Sequence, residues 1–412
     1  MKVAIVGSGI SGLAAARLLS RTHATTLFEA EPRLGGHAHT LDVTLDGVTH
    51  PVDTGFLVFN RATYPNLVRL FAELGIPAAP SEMTFSVSLA SPALEWAGTS
   101  LDTLFAQRTN LLRPGFLRMA RDVLRFNREA PRDSGAATVG EFLAAGRYSA
   151  EFRDWYLLPM AAAIWSCPTR TMLAYPFTAF ARFFANHGLL QLADRPQWYT
   201  VAGGSRRYVQ AIARGLADVR LATPVRSLER HDAMVRVNGE RFDAVVLACH
   251  SDQALALLGA QASAAERRVL GTIAYQKNHA VLHTDATLLP RRRRVWSAWN
   301  YSAGADGPDG RPVSVHYLLN KLQPLPFTRP LVVSLNPHRR PAPESILAEI
   351  DYDHPVFGAL AGEAQSRLPA LQGTRRTWYC GAWTRYGFHE DGLVSALAVA
   401  EALGAQPLRE AA

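Results

Sequence analysis

Gly7-Ser8-Gly9-Ile10-Ser11-Gly12 stands between a short apolar β-branched run, Lys2 to Val6, and an apolar helical pattern that ends near Ser20. Strand, glycine turn and helix in that order can bind a phosphate anion. The first glycine allows the tight reversal, the second lets a pyrophosphate reach the backbone, and the third lets helix pack close on strand. The helix start adds unpaired N–H groups that face the anion. A second strand, Thr25 to Phe28, ends in Glu29, about 20 residues on, where an acidic side chain accepts ribose hydroxyls. A glycine-rich βα turn without a ligand would not require an acid there. Gly7, Gly9, Ile10, Ser11, Gly12 and Glu29 are therefore expected to hold a dinucleotide.

The next residues narrow the ligand. Glu29-Ala30-Glu31-Pro32-Arg33-Leu34-Gly35-Gly36-His37 resembles the E-x-x-x-R-x-G-G element of the flavoprotein superfamily that contains monoamine oxidases, protoporphyrinogen oxidase and carotenoid desaturases. The resemblance implies FAD as cofactor, with Ala30, Arg33, Gly35, Gly36 and His37 along its diphosphate; the family usually has a basic residue where His37 stands. Asp53-Thr54-Gly55-Phe56 resembles the family's D-x-G segment near the isoalloxazine ring, which implicates Thr54, Gly55 and Phe56. Val201-Ala202-Gly203-Gly204-Ser205 resembles its re-entry into the FAD domain, and a strand around Pro224-Val225 would bring Val225 to the adenine side. Thr377 to Gly381, then Gly387 to Leu393, resemble the terminal strand, glycine turn and helix. This implies that Gly381, Gly392 and Leu393 face the flavin, where a helix start can stabilise negative charge on a reduced ring.

The same resemblance supplies the reactive candidates. His389 and Glu390 stand where amine oxidases often put an aromatic residue, which makes His389 the candidate proton acceptor, with Glu390 or Asp391 as partner. Amine oxidases of the family place a lysine near flavin N5, and Lys277 and Lys321 are the only internal lysines. Tyr317 to Gln323 and Asp351 to Pro355 resemble a bacterial branch associated with fatty acyl modification. The leading expectation is an FAD-dependent oxidoreductase that desaturates a long-chain lipid or fatty acyl substrate. An amine oxidase using Lys321 or Lys277 is the runner-up. A catalytically silent flavin- and lipid-binding partner protein is the reading from another class.

These residues require an α/β architecture: a Rossmann-like FAD-binding domain with a discontinuous α+β substrate domain. The expected boundaries are residues 1–77, 199–270 and 365–412 for the FAD-binding parts. Residues 78–198, mostly helical, and 271–364, mostly sheet, fall to the substrate parts. The 412 residues are enough for two lobes with sizeable cores. Cys167, Cys249 and Cys380 lie far apart with no C-x-x-C pair, so neither a disulfide framework nor a metal site is indicated. The apolar opening belongs to the nucleotide fold rather than to a signal peptide, so a cytoplasmic location is expected.

Net charge is +8, almost all of it from arginine. An arginine excess suits an anionic partner, or reflects genomic base composition. Within a helical pattern from Pro114 to Ala130, Arg118, Arg121, Arg125 and Arg128 are spaced three, four and three apart, which places them on one helix face. That face is either simply solvated or docks on anionic membrane. Arg291 to Arg294 form a second cluster. Trp155 to Trp165 is interrupted by Pro159 and is shorter than the roughly 20 residues that span a bilayer. It is a core helix or the wall of an apolar tunnel, as is the aromatic stretch from Leu173 to Leu192. The expected partners are a long-chain lipid and an anionic membrane surface to which the protein attaches peripherally. No nucleic acid is expected, and homodimerisation is left open.

Overall fold

The computed structural model describes all residues except 133–134, 167–168, 192–194, 305–312, 359 and 409–412. Cys167 lies outside the described residues. Lys2–Val6 is the central strand of a five-stranded parallel sheet in the order Asp218–Arg220, Ala24–Phe28, Lys2–Val6, Ala244–Leu247, Thr377–Tyr379. Its inner strands are almost wholly buried, which explains why Val3 to Val6 and Ala244 to Leu247 read as continuous apolar runs rather than alternating ones. An antiparallel meander, Leu228–Arg230, Val235–Val237 and Glu240–Phe242, leads into Ala244–Leu247.

The first helix, Ile10–Leu19, packs against the C-terminal helix, His389–Ala402. The contact is close because Gly392 stands in it, and Gly12 on the other side of the first helix lets that helix rest on its strand. A Cβ on Gly12 would lie 1.8 Å from the Gly7 carbonyl oxygen, and one on Gly392 would lie 2.8 Å from Ser11 Oγ and 2.9 Å from Ile10 Cγ2. The Ser11 hydroxyl donates to the Gly392 carbonyl at 2.9 Å.

A seven-stranded mixed sheet forms the second layer, in the order Ile346–Val356, Ala274–His283, Val332–Leu335, Ser314–Leu318, Trp299–Ala303, Phe85–Leu89, Leu94–Ala97. Phe85–Leu89 alternates in sequence and joins Trp299–Ala303 in parallel, across more than two hundred residues of chain. Helices from Leu101 to Asn186 cover this region. Among them Phe152, Phe177, Phe180 and Phe184 are buried, as are most residues of the helix Leu158–Trp165. No helix among the described residues is long and apolar enough to cross a membrane.

Three expected elements shift. The strand expected around Pro224-Val225 is Asp218–Arg220, and Val225 lies in the connection after it. There the chain is held by backbone bonds from Ala222 N to Glu31 O and from Thr223 N to Glu29 O, so it runs beside the Glu29 turn without forming a ladder. The terminal helix begins at His389, so the stretch expected as a turn is already helical from there, capped by its own Asp391. The arginine stripe divides: Arg118 pairs with Glu151 and Arg125 lies 3.8 Å over the Tyr148 ring, while Arg121 is exposed.

Gly12→Ala drives a methyl into a backbone oxygen that has nowhere to go. It is expected to destabilise the protein by more than about 3 kcal/mol, measured as a lowered midpoint of thermal or urea unfolding or as loss of soluble protein. Gly239→Ala, at a surface turn where a Cβ meets nothing within 4 Å but φ is +81°, should cost only about 1 kcal/mol.

Candidate active site

Two glycine turns make the floor of the site. Gly35 N–H donates to the Ser8 carbonyl at 3.0 Å, and a Cβ on Gly36 would lie 3.2 Å from Gly9 Cα. The turns therefore touch, backbone to backbone. Gly9 caps the first helix without any side-chain partner, and a Cβ there would meet nothing within 4 Å. Open space bounded by a helix start and two bare turns is a cradle for an anion that must approach main-chain N–H groups. Glu29 closes one end: Oε2 accepts from Ser8 N at 2.8 Å and from its hydroxyl at 2.5 Å, and Oε1 accepts from Glu31 N at 2.9 Å. Arg33 donates from Nη1 to the Gly36 carbonyl at 2.9 Å, bracing the second turn from its own side.

The cradle opens into a cavity of about 410 Å³. Of the residues expected at the site, Gly7, Gly9, Ile10, Ser11, Glu29, Gly35, Gly36, His37, Thr54, Gly55, Phe56, Gly381 and His389 line it. Gly55 is forced to be small by close backbone approach, since a Cβ would lie 2.2 Å from the His37 carbonyl oxygen. Asp53, next to it, is a tie rather than a ligand group. Its carboxylate accepts from Ser205 N, Ser205 Oγ and Thr40 Oγ1, and burial pushes its pKa up to about 6. Gln323 clamps the Asp53 backbone from both sides, through 2.9 Å bonds to its N–H and carbonyl.

Several expected site residues do other work. Lys321 is not at the cavity: its ammonium pairs with Glu82 at 2.8 Å, partly exposed. Lys277 is exposed on its strand and does not line the cavity either. Glu390 accepts from Asn66 N, Asn66 Nδ2 and Leu67 N at 2.7–2.9 Å, so it caps the helix Pro65–Leu74. Asp391 accepts from Phe388 N at 2.9 Å. Neither is the partner of His389, which shares a 2.8 Å hydrogen bond through Nε2 with the Tyr208 hydroxyl and stacks flat on Phe56 at 3.8 Å. Burial holds the His389 pKa down at about 3, so its imidazole is neutral. Gly392 and Leu393 lie behind the lining in the contact between helices, Gly12 lies against Gly7 and Ala248, and Ala30, Arg33 and Val225 are also outside the lining.

Other functional residues come from chain segments whose partners are remote in sequence. Tyr352, on the edge strand Ile346–Val356, bonds Thr54 Oγ1 at 2.9 Å and stacks on His37 at 5.0 Å. His354 follows in the same wall, and His250 stacks on Tyr275 at 4.4 Å. At the far end Trp165, Phe183, His187 and Trp198 form an aromatic chamber with Trp299 and Tyr317. Phe183 is its centre, 4.7 Å from Trp165, 3.8 Å from His187 and 4.9 Å from Phe388. Tyr352 and Tyr317 fall in the two segments that carried the resemblance to the fatty-acyl-associated branch; nothing local marks Tyr208 as the partner of a histidine near the C-terminus. Among the described residues lining the cavity the carboxylates are Glu29 and Asp353, and there is no lysine or arginine.

Replacing Glu390 leaves three donors of another helix without an acceptor. Glu390→Ala should cost about 2 kcal/mol of stability, read from chemical denaturation, while the absorption spectrum of bound flavin stays unchanged. A catalytic Glu390 would instead leave stability unchanged and slow flavin reduction by substrate.

The sequence pattern of the flavin containing amine oxidoreductases matches residues 10–284. The chain is 29% identical over 257 residues to a Mycobacterium tuberculosis protein provisionally named flavin-containing monoamine oxidase AofH. That match covers 59% of this chain and 54% of that protein, so the chain spans about half the length of the curated relatives it matches. Its fold is similar to that of an Exiguobacterium protein provisionally named protoporphyrinogen oxidase, with a TM-score of 0.70 at 18% identity and 98% of each chain covered. It is also similar to a conjugated-linoleic-acid-producing fatty acid isomerase from P. acnes, with a TM-score of 0.67 at 16% identity, covering 97% of this chain and 98% of that one. With the double-glycine cradle, Glu29 and the His37–Thr54 wall fitting a flavin dinucleotide, the chain belongs to the flavin containing amine oxidoreductases, and FAD is its cofactor.

Proposed function

We propose that the protein dehydrogenates a long-chain lipid or fatty acyl substrate, converting a saturated carbon pair to a double bond. The carrying observation is the chamber beyond Phe56. Its lining is mostly aromatic and aliphatic, with Ser166 and a His187 kept neutral by burial as polar members, and among the described residues it has no charged group. Removing a cationic amine from water into such a site without a counter-charge is costly, whereas an acyl chain gains from leaving water. Bound FAD supplies a two-electron, hydride-accepting centre. In this reading Gly9, Gly36 and the first turn of the Ile10–Leu19 helix hold the diphosphate, Glu29 takes the ribose hydroxyls, and Tyr352 with Thr54 fixes the wall between cofactor and substrate.

The accompanying proton goes to His389. The Nε2–H tautomer, donating to the Tyr208 oxygen, is the one that leaves the Nδ1 lone pair to accept it, and burial, which favours the neutral ring, makes that acceptor a weak base. Phe56 fixes the ring plane by stacking. The fold does not decide the substrate, because both amine and lipid chemistry are built on it. An amine oxidase remains the second reading on one observation: the Trp165–Phe183–Trp198 faces would attract a cation. A lipid substrate also implies peripheral attachment to a membrane.

Two measurements test the reading. Under anaerobic conditions the flavin absorption of the holoprotein should bleach on mixing with phospholipid-bound acyl chains, with a new double bond seen by mass spectrometry; bleaching by amines alone would replace this reading with the second. His389→Ala should slow that bleaching by about 10²-fold or more, and Tyr208→Phe by less, with flavin content retained in both. Separately, Glu29→Gln should weaken FAD binding by about tenfold, roughly 1.4 kcal/mol, measured by the fluorescence of released flavin; unchanged affinity would remove Glu29 from the site.

A further inference from the structure

A surface outside the cavity carries a second feature. The helix Pro114–Glu129 buries Phe116, Met119 and Phe126 on one side. On the side opposite, spaced four, three and four apart, stand Leu117, Arg121, Leu124 and Arg128, all exposed. Leucine and arginine thus alternate along one outward stripe. Leu111 and Leu112, just before the helix, are exposed as well, Leu112 to 88%.

The second arginine cluster is tied to the segment that precedes this helix. Asp102 receives Arg108 at 2.7 Å and Arg294 at 3.7 Å, so the turn containing Arg291 to Arg294 is tied to the segment that runs into the helix. Leu101, beside Asp102, is 76% exposed. The Arg291–Arg294 turn and the segment before the helix are thus joined at Asp102, with Arg292 held by Glu95, while Leu101, Leu111 and Leu112 of that segment are exposed. A solvated face accounts for the arginines but not for the large aliphatic side chains among them. A nucleic acid would use the arginines and leave the leucines in water. An anionic bilayer takes both, since basic charge is drawn to the headgroups and leucine enters the acyl boundary.

We propose that this face, centred on Leu112, Leu117, Arg121, Leu124 and Arg128, docks the protein on an anionic phospholipid bilayer. The proposal goes beyond the reading of the cavity and does not depend on turnover. Arg118 and Arg125 are not part of it, because they hold Glu151 and Tyr148 within the fold.

The test is flotation of the FAD-loaded protein with vesicles of phosphatidylcholine alone and of phosphatidylcholine with phosphatidylglycerol. The protein should float with the anionic vesicles only, and less so as salt is raised. Arg121→Glu with Arg128→Glu, and separately Leu112→Ser with Leu117→Ser, should each reduce flotation at least about tenfold while flavin absorption is retained. Absence of flotation, equal binding to both vesicle types, or undiminished binding of both double variants would overturn the proposal. So would release of the protein from anionic vesicles by duplex DNA at equal phosphate concentration. Flotation by a protein that oxidises amines would leave the surface standing and sink only the lipid reading of the cavity.

Discussion

The contact between two glycine turns is the constraint on which the site depends. Gly35 N–H reaches the Ser8 carbonyl, and Gly36 lies against Gly9 Cα with no room for a side chain between them. Because the turns meet as bare backbone, the space in front of Gly9 is left open beside a helix start. The remainder of the structure keeps that contact in place. Gly12 lets the first helix rest on its strand, Gly392 lets the terminal helix rest on the first, and Glu29 locks Ser8 from the other side. The glycine contacts are close approaches that a larger residue would block, and Glu29 adds the one side-chain lock among these devices.

The cradle alone would hold a dinucleotide; the second sheet gives it a chamber. Tyr352 bonds Thr54 across the boundary and Gln323 clamps Asp53, so the wall between the parts belongs to both. That arrangement lets one cavity run from Glu29 to Trp198. Its charge is uneven, with the carboxylates among the described lining residues supplied by Glu29 and Asp353 and the far end mostly aromatic and uncharged. A polar mouth for a nucleotide and an uncharged pocket for a chain follow from that gradient.

The local part of this was legible in the chain. Glycine spacing, the acid after the second strand and the Gly35-Gly36 pair are short-range signals, and each rests on a backbone requirement that few residues meet. What was not legible is long-range pairing. Glu390 and Asp391 stand at a helix start and looked available, yet one caps a helix three hundred residues away and the other its own. Lys321 had the right chemistry but the wrong side of its short helix, while Gln323, two residues on, reaches the site region. The helix periodicity identified the Pro114–Glu129 stripe, but only packing shows that Arg118 and Arg125 are spent inside the fold and that Leu117 and Leu124 share the outward face with Arg121.

The central claim is that cofactor and substrate share one cavity, joined across the Phe56 and His389 stack. The most direct measurement is a crystal structure of the FAD-loaded protein soaked with a saturated acyl chain. The diphosphate should lie against Gly9 and Gly36 and the acyl chain among Trp165, Phe183 and Trp198. An acyl chain bound elsewhere, or a flavin whose diphosphate avoids the two glycine turns, would contradict the claim.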